Sequence, residues 1–374
     1  MIFHSLWTAS FRNLADAESY TGEKDIFLVG ENGQGKTNFL EALYFAAYGS
    51  SFRGVRDGEI ARNGEKNFAV RAKIVSDYGK NAASYPVELH IKSEKGKKNF
   101  FLDGKRIEER RNLLSVVPCI VFCHEDMEFV SGSPERRRWF FDQSLSLCDV
   151  LYLDDLRNYR QVLKSRNALL REAVLGRRPA PEVLDALDLQ LVVYGLKLVE
   201  RREREAALFS ELFGPLFREV SDIPGITVRY NPSWKFCELG EGVAFLAGRR
   251  EADLSAGLSL SGPHRDRYAF YRESEEFAAQ ASTGQRRLLA LLLRIAQARR
   301  FSESTGKRPV LLLDDVLLEM DGEKRRRFLS VMPVYDQAFY TFLPEEPYRR
   351  YVRGGDVLVY AVESGVLRPQ GEDV

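Results

Sequence analysis

Residues 30–37 read GENGQGKT, and this stretch decides the fold. It fits the spacing G-x-x-x-x-G-K-[ST]. Its glycines let consecutive backbone N–H groups turn inward toward a phosphate, and the positive end of a following helix adds to them. Lys36 would reach the β- and γ-phosphates, and the Thr37 hydroxyl would ligate Mg²⁺. A chance match in a chain this long is on the order of one percent, and here the context is also the required one. DIFLVG (25–30) is a short apolar run ending in glycine, a buried strand entering a turn. KTNFLEALYFAAYG (36–49) is dense in helix formers and apolar almost all round, with Gly49 as its stop, so it belongs inside a domain. The predicted nucleotide-binding residues are Gly30, Glu31, Asn32, Gly33, Gln34, Gly35, Lys36, Thr37 and Asn38.

A phosphate-binding loop needs a distal acid. VLLLDD (310–315) is an apolar strand whose C-terminal end carries two carboxylates. Asp314 is expected to support Mg²⁺, and Asp315, acting with Lys36, to be catalytic by polarising the attacking water. A second anion site is written in ASTGQRR (281–287), which runs into the apolar helix LLALLLRIAQARR. Ser282, Thr283, Gly284 and Gln285 offer a hydroxyl and backbone N–H groups at a positive helix end. Within one chain such a site is redundant, unless it serves another chain's nucleotide. That is the logic of the ATP-binding-cassette signature, in which two subunits face each other head to tail and each closes the other's site.

At 374 residues there is room for two or three domains, and 44% hydrophobic and 29% charged residues are ordinary for a globular protein. Nothing approaches 18 consecutive apolar residues, and MIFHSLWTASFRNL has no signal-peptide pattern, so a cytoplasmic location without membrane contact is expected. Cys119, Cys123, Cys148 and Cys237 match no zinc spacing; VVPCIVFC (116–123) looks like a buried strand with reduced core thiols. The net charge of +1 excludes a globally basic DNA coat but not local patches. Basic residues cluster at 136–138, 286–287 and 325–327, and Arg136, Arg137 and Arg138 form the candidate DNA patch. Trp139, Phe140 and Phe141 beside them suit base stacking or, more simply, a helix core.

Short alternating pieces over 60–105 suggest antiparallel strands. From 134 the pattern is helical to about 216, and strand character returns at ITVRYNP (226–232), in GPHRDRYAFY (262–271) after its turn, and at PVLLLDD (309–315) and QAFYTF (337–342). The predicted fold is α/β: an ABC-type P-loop ATPase head, with a mixed sheet plus an antiparallel β subdomain, assembled from 1–133 and 223–374, and an inserted helical arm domain at 134–222. A helix over 185–213 would reach about 45 Å at ~1.5 Å per residue, too short for a long-arm SMC protein.

These motifs, with FRNL (11–14), SFRG (51–54), EDMEFVSGSPERRRWFFD (125–142), YRQVLKSRNALL (159–170), SGPHRDR (261–267) and LLLDDVLLEMD (311–321), resemble in order the RecF family of ABC/SMC-like ATPases. The resemblance implies an ATP-dependent homodimer that clamps double-stranded DNA near single-strand gaps or junctions and promotes recombinase loading, supporting replication and SOS induction. It also implies partners like RecR, RecO and RecA, and a weak, DNA-stimulated ATPase acting as a switch, with ATP and Mg²⁺ as cofactors. Asp321 in LLEMD would be the D-loop aspartate at the partner's site. His124 stands where the family usually reads proline, in the segment where transporters place a glutamine. Asp315 replaces the catalytic glutamate of most ABC enzymes, and Thr341 stands where transporters carry a switch histidine. The shorter carboxylate implies slow hydrolysis. His264, between Pro263 and Arg265, reads either as a turn residue or as a brace for nucleotide or DNA phosphate. Two alternatives fit less well. A transporter's nucleotide-binding subunit would want a Q-loop glutamine, a switch histidine and a much shorter helical insert, all missing from this chain, and a nuclease-coupled ATPase would need a further acidic metal cluster.

Overall fold

The computed structural model describes residues 1–76, 86–108, 113, 116–316, 320, 322–351 and 357–370. The chain forms two compact units, one of Met1–Asp126 with Phe301–Val374 and one of Met127–Arg300.

The first unit begins with β1 (Ile2–Ala9), β2 (Glu18–Tyr20), β3 (Asp25–Val29), α1 (Lys36–Tyr48), β4 (Phe68–Val75), β5 (Val87–Glu94), β6 (Lys97–Leu102), β7 (Lys105–Ile107) and β8 (Cys119–Phe122). The second unit holds α2 (Pro134–Cys148), α3 (Val150–Val174), α4 (Pro181–Ser221), β9 (Ile226–Asn231), α5 (Leu239–Ala256), β10 (Arg267–Arg272), β11 (Glu275–Glu276) and most of α6 (Thr283–Thr305). The first unit is completed by β12 (Val310–Leu313), α7 (Gly322–Ser330), β13 (Gln337–Phe342), β14 (Val357–Glu363) and β15 (Val366–Pro369).

Two six-stranded sheets build the first unit. The antiparallel one runs β2-β1-β4-β5-β6-β7, and the mixed one runs β15-β14-β3-β13-β12-β8. In the mixed sheet only the β14–β15 pair is antiparallel. Because β3, β13 and β12 are adjacent and parallel, their C-terminal ends bring the phosphate-binding loop, Thr341 and Asp314 to one edge of the sheet. Ligands of open α/β sheets collect at that edge.

Helix α1 is buried on nearly every face, from Phe39 to Ala47, as its all-round apolar sequence requires. Phe45 meets Phe11 and Phe68 edge-to-face at 5.9 and 5.3 Å, and Phe11 meets Phe68 at 5.7 Å. This triangle fixes α1 to the inner face of the antiparallel sheet; each such pair adds about 1 kcal/mol beyond burial. Gly49 ends the helix in the left-handed region at φ 64°. Cys119 and Cys123 lie buried at β8 and its end.

In the second unit, α2, α3, α4 and α5 pack with the three-stranded antiparallel sheet β11-β10-β9. Residues 223–300, which the sequence reading groups with the head, share this unit because β9 and β10 pack on α4 and α2. Phe141 stacks on Tyr268 of β10 at 3.9 Å, and Phe213 of α4 meets Phe270 at 6.2 Å. Pro181 opens α4 at its first turn, where its missing N–H costs nothing. The helix runs 41 residues, through Pro215, and so exceeds the 185–213 span expected. At ~1.5 Å per residue it reaches about 60 Å. Of GPHRDRYAFY only Arg267 onward is strand; Pro263–Arg265 is a 3-10 turn.

Buried ion pairs lock this unit. Arg166 joins α3 to α4 through Asp188 (2.6 Å) and to α5 through Asp253 (2.7 Å). Arg202 of α4 joins Asp142 of α2 and Asp266, each at 2.8 Å.

Among the described residues no helix is long and apolar enough to cross a membrane.

Candidate nucleotide site

The predicted loop lies between β3 and α1. Gly33 (φ 79°) and Gly35 (φ 117°) adopt the left-handed backbone that lets the loop fold back on the helix N-terminus. Lys36 is almost wholly buried, and its ammonium donates to the Gly30 and Glu31 carbonyls at 2.6 and 3.0 Å. From that position it is poised at the mouth of the loop.

Two further segments hold the loop, and neither is announced by the motif. The Asn13 side-chain amide donates to the Gly33 carbonyl at 3.2 Å, and its oxygen accepts from Asn38 at 2.7 Å. The β14–β15 turn supplies the other side: Ser364 N–H donates to Gln34 Oε1 (2.6 Å) and Gly365 N–H to the Gln34 carbonyl (2.8 Å). Gly30 is glycine for a steric reason as well, since a Cβ there would collide with the Val362 carbonyl oxygen. The signal for Asn13 is present in FRNL, whereas nothing in ESGVLRP marks the turn as a loop partner.

Thr37 Oγ1 donates to Asp314 Oδ1 at 2.8 Å across 277 residues of chain. Burial, and then the neighbouring Asp315 charge, push the Asp314 carboxyl up to about 7, against the Thr37 hydrogen bond. Asp315 sits at φ 50°, a left-handed position uncommon outside glycine. It is secured there by Thr341, which accepts from its N–H at 2.8 Å and lies 2.9 Å from its Oδ1. Buried Glu41 anchors the floor of the site by accepting from Arg12 at 3.0 Å and pairing with Arg53 at 3.5 Å; Arg53 also donates to Asn38 at 3.0 Å. Among the described residues no group of three or more His, Cys, Asp or Glu side chains is placed to hold a metal ion. A hydroxyl beside a carboxylate is instead the hard-oxygen pair suited to Mg²⁺ that keeps waters and phosphate oxygens as its other ligands.

In the other unit, Ser282, Thr283 and Gly284 are exposed at the N-terminus of α6. Ser282 and Gln285 form a reciprocal capping box: Ser282 N–H donates to Gln285 Oε1 (2.8 Å), and Gln285 N–H to Ser282 Oγ (3.2 Å). The residues predicted as a signature thus form a plain N-cap, with Ser282, Thr283 and Gly284 left exposed. Asp321 lies outside the described residues, and His124 is exposed.

The candidate DNA patch is reduced. Arg137 donates to the Tyr268 carbonyl at 3.1 Å and pairs with Glu276 at 3.3 Å, and Arg138 donates to the Asp266 carbonyl at 2.7 Å. Both brace β10 and the turn before it and are half-buried, whereas Arg136 is exposed. Phe140 and Phe141 are core, and Trp139 stacks on Phe129 at 5.7 Å. His264 is a brace too. Its Nε2 lies 3.0 Å from the Ser259 carbonyl and its Nδ1 2.8 Å from the Tyr159 hydroxyl. Burial pushes its pKa down to about 4, so the neutral ring donates from Nε2 and accepts at Nδ1.

The family model described as RecF/RecN/SMC N terminal domain matches residues 2–343. A DNA replication and repair protein RecF from Treponema pallidum (strain Nichols) is 44% identical, over 95% of this chain and 98% of the relative. The chain belongs to the RecF family. The Staphylococcus aureus (strain JH9) RecF is 31% identical over 91% of this chain and 93% of its own. A solved recombination mediator RecF bound to ATP superposes with a TM-score of 0.88 at 25% identity, covering 99% of this chain and 97% of that one. An Smc head bound to a ScpA winged-helix domain shares the fold, with a TM-score of 0.53 at 14% identity. Membership of the RecF family explains why a short arm and an SMC-type head occur together.

Proposed function

We propose that this chain is an ATP-dependent DNA-binding protein of recombinational gap repair. It dimerises on ATP through the exposed Ser282–Gln285 stretch, clamps duplex DNA near single-strand gaps and promotes recombinase loading in the cytoplasm. The observation that carries this reading is the Thr37–Asp314 contact at 2.8 Å, with Asp315 beside it, in a chain of the RecF family. Bound Mg²⁺ would neutralise phosphate charge between Thr37 and Asp314. Lys36 would hold the β- and γ-phosphates, Asp315 would orient the attacking water, and Ser282 of a second copy, with its Asp321, would close the site. Hydrolysis is slow because the Asp315 carboxylate, which Thr341 positions, is one methylene shorter than glutamate. It thus acts as a weak, DNA-stimulated switch. A head from 1–133 and 223–374 would carry the nucleotide, and the helices of 134–222 would form the arm. Proteins of the RecR, RecO and RecA type are the proposed partners, and Arg136 remains the candidate phosphate contact of its cluster.

The test is the affinity for a labelled gapped duplex without nucleotide, with Mg²⁺-ATP and with Mg²⁺-ADP, for wild type and Asp315→Asn. Tighter binding with ATP, prolonged in the variant, is expected. Affinity indifferent to nucleotide would overturn the reading.

A further inference from the structure

The antiparallel sheet of the first unit turns its inner face to α1 and leaves its outer face toward solvent. Alternation along each strand sets this: in β4, Phe68, Val70, Ala72 and Ile74 are buried, whereas Ala69, Arg71 and Lys73 are not. One register line on the outer face crosses all six strands without a break. It reads Glu18, Trp7, Arg71, His90, Phe101, Arg106, each paired with the next across the ladder. With strands ~4.8 Å apart, the line is about 24 Å long.

Its members touch one another. The Arg71 guanidinium lies over the Trp7 ring at 5.2 Å. Trp7 and His90 meet edge-to-face at 6.3 Å, and His90 and Phe101 are tilted at 6.1 Å. Trp7, Arg71, His90 and Phe101 are all half-buried, so each keeps part of its surface in water, and Arg106 is exposed. Arg71 Nε and His90 Nε2 are themselves buried and have no hydrogen-bond partner among the described residues, so the surface they leave to a ligand is the rings and the outer part of the guanidinium. Charge is distributed unevenly along the line. Toward β1, Glu18 pairs with Lys73 at 3.0 Å. Over β5 to β7, Lys92 of the adjacent line and Arg106 flank Phe101. Burial first, and then the nearby Lys92 and Arg71, hold the His90 pKa down against the Glu88 carboxylate.

We infer that this outer face is a stacking platform for single-stranded DNA. It rests on the repair reading above and adds to it the surface that would hold the unpaired strand of a gap. Aromatic rings alternating with cations are the pairing that single strands need: rings stack on any base, while lysine and arginine track the phosphates. A duplex hides its base faces, and the rings would then gain nothing from it. Bases would stack on Phe101 and on the Trp7–Arg71 pair, with phosphates on Lys92 and Arg106.

The experiment measures anisotropy of labelled oligothymidylate and of labelled blunt duplex with the full chain. It compares wild type, Phe101→Ala and the surface double variant Lys92→Glu/Arg106→Glu. Phe101→Ala is expected to weaken oligothymidylate binding about tenfold and leave duplex binding unchanged. The double variant is expected to weaken single-strand binding and flatten its salt slope by roughly 0.7 for each phosphate it no longer neutralises. Because both substituted side chains of the double variant lie on the outer face, it keeps the test decisive if Phe101→Ala does not fold. Unchanged single-strand affinity in the variants, or equal weakening on both DNAs, overturns the platform. A wild type that binds duplex but not oligothymidylate overturns the platform alone; one that binds no DNA overturns the repair reading with it.

Discussion

Thr341 is tied to Asp315 twice: its hydroxyl oxygen accepts from the Asp315 N–H at 2.8 Å, and it lies 2.9 Å from the Asp315 carboxylate. The same hydroxyl is 3.3 Å from Asp314 Oδ1. It has one proton for two carboxylates, and because Asp314 already accepts from Thr37, the proton is available to Asp315. Thr341 is therefore a positioning residue. Thr341→Val should slow hydrolysis ~10- to 100-fold with ATP affinity retained, and Thr341→Ser should restore it. The check is single-turnover hydrolysis beside equilibrium ATP binding; equal loss of both in Thr341→Val would indicate a folding role instead.

Much of this site is legible in the sequence because it is local. GENGQGKT, the helix after it and VLLLDD carry their geometry in consecutive residues, and the apolar pattern of QAFYTF places Thr341 at a strand end. The rest depends on long-range pairing. Asn13 and Ser364–Gly365 meet the loop only because β14 pairs with β3 and the chain after β1 turns beneath it. Arg137 and Arg138 read as a basic run, and their carbonyl partners on and beside β10 lie some 130 residues away. Helix α5 contains Gly240, Gly242 and Gly248, which weaken its helical signature although Gly242 is needed where Phe236 and Val192 approach.

The β14–β15 turn makes the second prediction. Gly365 sits at φ 80°, and a Cβ there would collide with the Asn13 carbonyl oxygen. Gly365→Ala should cost about 1–3 kcal/mol and weaken ATP binding through Gln34, whereas Gly64→Ala, in a turn with open space around it, should leave ATP affinity alone. Thermal midpoints and ATP titrations of both variants decide it.

Arg202 is the buried cation shared by Asp142 and Asp266; without it, among the described residues, Asp142 keeps only Arg160 and Tyr152, and Asp266 only Tyr230 and the Ser233 N–H. Arg202→Met should destabilise by ~3–5 kcal/mol, read by denaturant unfolding. A loss under about 1 kcal/mol would mean that these carboxylates take up protons or water instead.

His264 makes the second unit acid-sensitive. Its folded pKa is depressed to about 4 from 6.5, so the unfolded chain binds the extra proton first. Its contribution is fully present above about 6.5 and is lost as pH falls toward about 4, by at most about 3 kcal/mol. The slope should flatten in His264→Gln, which still donates to the Ser259 carbonyl and accepts from Tyr159. An identical pH dependence of unfolding in wild type and variant would contradict this.

The most direct test of ATP-gated pairing is mass by light scattering, without nucleotide, with Mg²⁺-ATP and with ADP, for wild type and Ser282→Arg. Head-to-tail closure predicts a dimer with ATP only, lost in the variant while ATP still binds. A monomer under every condition, or a dimer indifferent to Ser282→Arg, would contradict it.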